Sequence, residues 1–321
     1  MSGRAFDSYR APLLVAWQLT NRCDAFCLAC CEESGPDRGW DDELSRSEAL
    51  DLARRIVDAG VPYVAFGGGE PLGVPHFWDI LDVLTGGGVS IKIETNGHYI
   101  DAAAADRLAA LGIGCVQISV DGATAETHER MRPGARFPAA IGAIERLVAC
   151  GVRPEMVFAP TRINLAEIGP AFELAATLGC ATFVTGPLMR LGRAAGDWAR
   201  LACSDAQWAA AVQELERRRT TLGDAAPTLS IYPWDIVEEM VRRVESPQAM
   251  LLVVPNGKVK LLNALPFVAA DLRSASIEEA WSAYREAWRT PVVRDFIAQT
   301  RLDRAGLSHA NELWPLELAL S

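Results

Sequence analysis

Short apolar runs alternate with amphipathic ones from Leu13 to about Leu191. Six of them, LLVAWQL (13–19), VPYVAFG (61–67), VSIKIE (89–94), VQISV (116–120), PEMVFA (154–159) and ATFVTG (181–186), are rich in branched and aromatic residues. Each begins a few residues after a glycine or turn, which predicts strands. Segments 77–84, 101–111, 137–149 and 166–178 have helical spacing between them. Ser45 with Glu48 makes a capping box for one more helix, ending before Gly60. Strands this continuously apolar predict a parallel sheet covered by helices.

Six β/α units can close toward a barrel or stay an open sheet. CDAFCLACC, GGGEP, TNG, DG and GPLMRLGR all follow the carboxyl ends of the strands. A barrel rim gathers such loops around one mouth, whereas an open sheet concentrates its site at a switch point. The expected fold class is therefore α/β, a partial (β/α)6 TIM barrel over residues 1–195, with a small α+β extension over 196–321. Within the extension, 205–221, 233–243, 276–288 and 291–301 have helical patterns, and LLVVPNGKVKLL (251–262) is a hairpin turned at Asn256-Gly257. The tail from Ala305 is expected to fold back over the barrel.

Composition narrows the class. The chain has 321 residues, half of them apolar, and a net charge of −10. That balance argues against a nucleic-acid partner, whose backbone attracts basic surfaces. The apolar run near the start is too short to span a bilayer, so no membrane partner and a cytoplasmic location are expected. A reducing compartment makes a disulfide framework a poor reading of eight cysteines, four of them in nine positions.

Cys23, Cys27 and Cys30 form C-x3-C-x2-C directly after the first strand. Three soft thiolates at this spacing suit three irons of a four-iron cluster, with the fourth iron left open to another ligand. A zinc site is the alternative and needs a fourth ligand; Cys31 is adjacent to Cys30 and makes an awkward tetrahedral partner. GGGEP (67–71) follows the second strand, where glycines let backbone approach a ligand and Glu70 can accept from a bound ammonium. It also reads as a plain glycine turn before a helix.

Taken in order, NRCDAFCLAC (21–30), GGGEP (67–71), IETNG (93–97), QISVDG (117–122) and the stretch from FPAAIGAIERLVACG to LGRA (137–194) resemble the radical S-adenosylmethionine (SAM) family, over roughly residues 13–195. Within it the chain is similar to the branch of molybdenum-cofactor, pyrroloquinoline-quinone and haem-synthesis enzymes and peptide maturases. The resemblance implies one [4Fe-4S] cluster held by Cys23, Cys27 and Cys30. It also implies S-adenosylmethionine chelated to the open iron and cleaved by one electron, giving a 5′-deoxyadenosyl radical that abstracts hydrogen from substrate. Gly68, Gly69 and Glu70 match the positions receiving the methionine amino group; Asn96 and Ser119 match positions touching ribose or methionyl, and Asp121 lies on the same rim. An external electron donor such as flavodoxin or ferredoxin is implied too.

Two departures stand out. The residue before the third cysteine is usually aromatic in the family and here is Ala29. The extension resembles an auxiliary-cluster (SPASM/twitch) domain, yet Leu261 and Leu262 stand where a cysteine is expected, and no cysteine follows Cys203. The extension is thus expected to cover the barrel without metal. Of the strand-end arginines, Arg193 in LGRA is the candidate clamp for a carboxylate of substrate or cofactor. Cys31 and Cys203 are candidate hydrogen-atom donors, while Cys115, Cys150 and Cys180 read as packing. The absence of a recognisable peptide-binding module and of auxiliary ligands puts a small metabolite or natural-product intermediate first as substrate. A peptide is the alternative, and a noncatalytic iron–sulfur protein a further one.

Overall fold

The computed structural model describes residues 8–316. Strand β1 (Leu14–Gln18) leads to α1 (Arg46–Asp58), β2 (Tyr63–Gly67), α2 (Phe77–Gly86), β3 (Ser90–Thr95), α3 (Ala102–Ala110) and β4 (Cys115–Ser119). Next come α4 (Ala125–Met131), α5 (Phe137–Ala149), β5 (Glu155–Phe158), α6 (Ile168–Thr177) and β6 (Thr182–Thr185). Every expected strand and helix of the β/α repeat is present. Ser45 caps α1 as its sequence requires: its hydroxyl accepts from Glu48 N, and the Glu48 carboxylate accepts from Ser45 N at 2.8 Å.

Beyond β6 lie α7 (Gly192–Gly196), α8 (Trp198–Leu201), α9 (Asp205–Leu222), β7 (Thr228–Ile231), α10 (Ile236–Glu245), β8 (Met250–Val253), β9 (Lys258–Lys260), β10 (Phe267–Asp271), α11 (Ile277–Ala287), α12 (Pro291–Leu302) and β11 (Trp314–Pro315). The hairpin expected at Asn256-Gly257 joins β8 to β9 antiparallel, with Gly257 at φ +82° where a side chain would be strained. Strands β7, β10 and β11 were not expected.

The chain forms two compact units, and neither follows the expected division at 195/196. Among the described residues, one comprises 8–23, Cys31–Ile91 and 235–316. Its strand order is β11-β10-β9-β8-β1-β2, with β1 parallel to both β2 and β8. The C-terminal hairpin is thus built onto the first strand instead of forming a separate module. Leu13 N and Leu14 N both donate to Ala249 O, which starts that pairing. Its core packs Trp17 tilted against Phe66 and Phe66 edge-on against Phe77, at 5.9 and 5.6 Å between ring centroids. Trp281 and Tyr284 of α11 and its C-cap Trp288 are buried in the same unit, as the apolar spacing of that helix demands. Leu261 and Leu262 are buried apolar side chains.

The other unit comprises Asp24–Cys30 and Lys92–Trp234. Its strands run β3-β4-β5-β6-β7, all parallel. Phe158, Phe172 and Phe183 fill its core, the last two edge-on at 5.4 Å. Residues 205–231, expected in the extension, belong here as α9 and β7. Among the described residues no helix is long and apolar enough to cross a membrane.

Candidate active site

In the first unit, the GGGEP loop lies against the backbone that leads into Cys23. Gly69 N donates to Thr20 O at 2.7 Å, and Glu70 N donates to Arg22 O at 3.0 Å. This approach explains the glycines. A Cβ on Gly68, whose φ is +106°, would stand 2.6 Å from Thr20 O, and one on Gly69 would overlap the Arg22 carbonyl. Glu70 is buried, and its Oε1 accepts from Leu72 N at 3.2 Å, capping the short turn that follows. The chain entering the cysteine loop is braced in turn by Glu43, whose oxygens accept from Thr20 Oγ1 and Asn21 N, both at 2.8 Å.

Beyond the cysteines, Cys31 O accepts from Asn311 Nδ2 at 2.9 Å. The next residue, Glu32, lines a cavity of about 350 Å3 with Gln18, Asn21, Trp40, Lys260 and Asn311. Burial pushes the Glu32 carboxyl up and pulls the Lys260 ammonium down, each partly offset by the other's charge. Lys260 Nζ donates to Ala310 O. Nothing in the sequence marked this pair, because residues 32 and 260 meet only through the pairing of β8 with β1 and of β9 with β8.

In the second unit, the 24–30 segment is held on three sides. Phe26 N donates to Pro133 O at 2.7 Å and Leu28 N to Met131 O at 2.9 Å, so HERMRPG (128–134) forms a wall along it. Gly134 makes this possible: at φ +88°, a Cβ there would stand 2.8 Å from Asp24 O. Asp24 accepts from Asn96 Nδ2 at 2.6 Å and is 2.7 Å from His98 Nδ1. His98 Nε2 accepts from Arg136 N, which places the ring proton on Nδ1, toward Asp24. Burial works against the Asp24 carboxylate, but the bonds from His98 and Asn96 outweigh it and hold its pKa down.

Arg193 closes the third side. Its Nε donates to Cys27 O at 2.7 Å, its backbone N donates to Cys30 O at 3.1 Å, and its guanidinium lies 3.9 Å from the centre of the Phe26 ring. Expected as a carboxylate clamp, Arg193 is a latch on the cysteine loop here. Asp121, expected at the cofactor, has both oxygens engaged within the protein, by Ala159 N and Arg132 Nε, each at 2.7 Å. Asn96 is tied to Asp24, and Ser119 ends β4 opposite Val157. Cys203 lies between α8 and α9 beside Arg162, with its thiol pushed up by burial, and is not among the loop's partners named above. Cys180 is buried, and Cys150 donates to Asp106 Oδ1 at the end of α5, in keeping with packing roles.

Strand-end loops carrying cysteines outside any disulfide, a glycine turn beside a buried glutamate, and parallel β/α repeats make up the frame of the candidate site. Residues 17–164 match the family model of the radical SAM superfamily. The chain is 37% identical over 199 residues to mycofactocin maturase MftC of Mycobacterium ulcerans (strain Agy99), covering 61% of this chain and 53% of that protein. It is 33% identical over 187 residues to the AdoMet-dependent heme synthase of Methanosarcina barkeri (strain Fusaro / DSM 804), covering 57% and 52%. The chain thus spans about half the length of these curated relatives. Among solved structures it is similar to Streptococcus suis SuiB bound to precursor peptide SuiA, with TM-score 0.73, 14% identity, and coverage of 89% of this chain and 68% of that one. It is also similar to anSMEcpe with bound AdoMet, with TM-score 0.64, 16% identity, and coverage of 86% and 82%. The α/β class expected from the strand pattern, a partial (β/α)6 barrel, is the fold these proteins share.

The superfamily works with a [4Fe-4S] cluster and S-adenosylmethionine, and the residues present fit both. Cys23, Cys27 and Cys30 are outside any disulfide and all partly exposed. Among the described residues no three or more His, Cys, Asp or Glu side chains are grouped as around a single ion. A cluster takes one thiolate per iron and does not need them round one point. At Gly68 and Gly69 a Cβ would meet the backbone of residues 18–22, so the glycines keep the Glu70 loop seated on the chain entering Cys23.

Proposed function

We propose that this chain is a radical SAM enzyme in which Cys23, Cys27 and Cys30 hold the cluster and the Gly68-Gly69-Glu70 loop receives the methionine end of the cofactor. The observation that carries this reading is the seating of that loop on residues 20–22, which sets a buried carboxylate against the chain entering Cys23. When bound, the cofactors supply one-electron cleavage of the sulfonium and abstraction of a hydrogen atom from substrate.

The protein's own residues hold and shield. Glu70 offers an acceptor to an ammonium in a dry setting, where such a bond is stronger than in water. Asn96, His98, Arg193 and the 131–133 backbone fix the 24–30 loop, so the thiolates keep their spacing. Ser119 and Asp121 line the strand ends of the second unit; Asp121 acts there through Arg132. An external one-electron donor, a flavodoxin or ferredoxin, completes the scheme.

A peptide is the substrate we infer, because the relative at 37% identity is a maturase. A small metabolite, placed first on sequence alone, remains the second reading and is favoured by the similarity to a heme synthase. Anaerobic reconstitution should give about four irons and four sulfides per chain. Cys23→Ala, Cys27→Ala and Cys30→Ala should each abolish cluster absorption, whereas Cys31→Ala should keep it. Glu70→Ala should retain iron but release much less 5′-deoxyadenosine. A loaded parent protein that releases none on reduction with S-adenosylmethionine would refute the enzyme reading.

A further inference from the structure

Arg132 stands in HERMRPG (128–134), and the structure buries it. Its side chain is 14% exposed; Nε donates to Asp121 Oδ2 at 2.7 Å, and Nη1 donates to Cys27 Sγ at 3.5 Å. Asp121 is 1% exposed and is itself fixed, since Oδ1 accepts from Ala159 N. Asn164 Nδ2 donates to the Asp121 carbonyl at 3.0 Å, and His128 Nδ1 accepts from Asp121 N. The flanking carbonyls of Met131 and Pro133 accept from Leu28 and Phe26. The guanidinium is therefore registered against the loop from both of its own neighbours and from its anchor.

A planar fork spanning a fixed carboxylate and a sulfur has little freedom to turn away. The carboxylate balances its charge at long range, while the nearest N–H still points at the Cys27 sulfur.

We propose that Arg132 is a positioning residue that raises the reduction potential of the cluster bound through Cys27, by presenting a fixed N–H donor and positive charge to its sulfur, with Asp121 as anchor. Hydrogen bonds to cluster sulfurs stabilise the more negative, reduced state, and outer partners of a ligand tune the metal in this way. The proposal rests on Cys23, Cys27 and Cys30 being the cluster ligands.

The test uses the full chain, reconstituted anaerobically, with midpoint potential followed by electron paramagnetic resonance beside iron content and circular dichroism. Arg132→Gln should shift the reduction equilibrium at least about tenfold toward the oxidised cluster, ~59 mV more negative for one electron. Arg132→Lys keeps the charge without the fork and should fall between. A fully loaded Arg132→Gln with the parent's potential overturns the proposal. If that variant does not load, Arg132→Lys decides, and a potential equal to the parent's overturns it. Failure of both to load, with parent-like dichroism, also overturns it by assigning Arg132 to assembly. A parent that binds no iron would instead sink the ligand assignment.

Discussion

Gly69→Ala adds one methyl group where the GGGEP loop crosses the chain entering Cys23. An ideal Cβ would stand 2.6 Å from the Arg22 carbonyl carbon and closer still to its oxygen. Carbon contacts relax at about 3.5–4.0 Å, so the two backbones must part by roughly 1 Å. Overpacking of that kind costs about 1–3 kcal/mol. The same oxygen accepts from Glu70 N at 3.0 Å, and losing that bond adds about 0.5–1.5 kcal/mol. The expected destabilisation is about 2–4 kcal/mol, read as a lower urea midpoint of the apo-protein. Gly86→Ala is the control: nothing lies within 4 Å of its Cβ, at the end of α2, and it should gain up to about 0.5–1 kcal/mol. In reconstituted protein, Gly69→Ala should also weaken S-adenosylmethionine binding while iron content holds, since Glu70 moves with the loop. Equal stability of Gly69→Ala and parent would refute the close-approach explanation.

Burial, with Arg132 nearby, pulls His128 down to about 4 from 6.5. The unfolded state then binds more protons between those values, so stability falls as pH drops from about 6.5 to 4, by about 3 kcal/mol in all. His128→Asn should flatten that slope in denaturant titrations across the same window, and an unchanged slope would count against it. Arg193→Met removes the donor to Cys27 O and the cation over Phe26. Loss of iron to a chelator should quicken about tenfold or more, the value of one charge-assisted bond; parent-like retention would show the latch to be idle. A double-mutant cycle with Glu32→Gln and Lys260→Met should give a coupling of about 0.5–3 kcal/mol in chemical unfolding, and strict additivity would show that the buried charges do not communicate.

Local signals in the sequence determined the repeat and the chemistry. Each of the six strands and all the helices between them except α4 came from a contiguous apolar run, a cap or a glycine, all of which act over a few residues. Ser45, Gly257 and the C-x3-C-x2-C spacing belong to that class. Tertiary structure decided the partners. TLSI (228–231) alternates in exposure and lacks a continuous apolar run, and only its register with Thr182–Thr185 makes it β7. The C-terminal hairpin pairs with β1 across more than 230 residues of chain, so 196–321 could not be known to divide between two units. Asp121 and Arg193 were legible as strand-end polar residues, but what they hold was not. A hydrogen bond reaches about 3 Å, and which donor lies within that reach of Asp121 or of Cys27 O depends on how separate loops pack, a distance the order of residues does not encode.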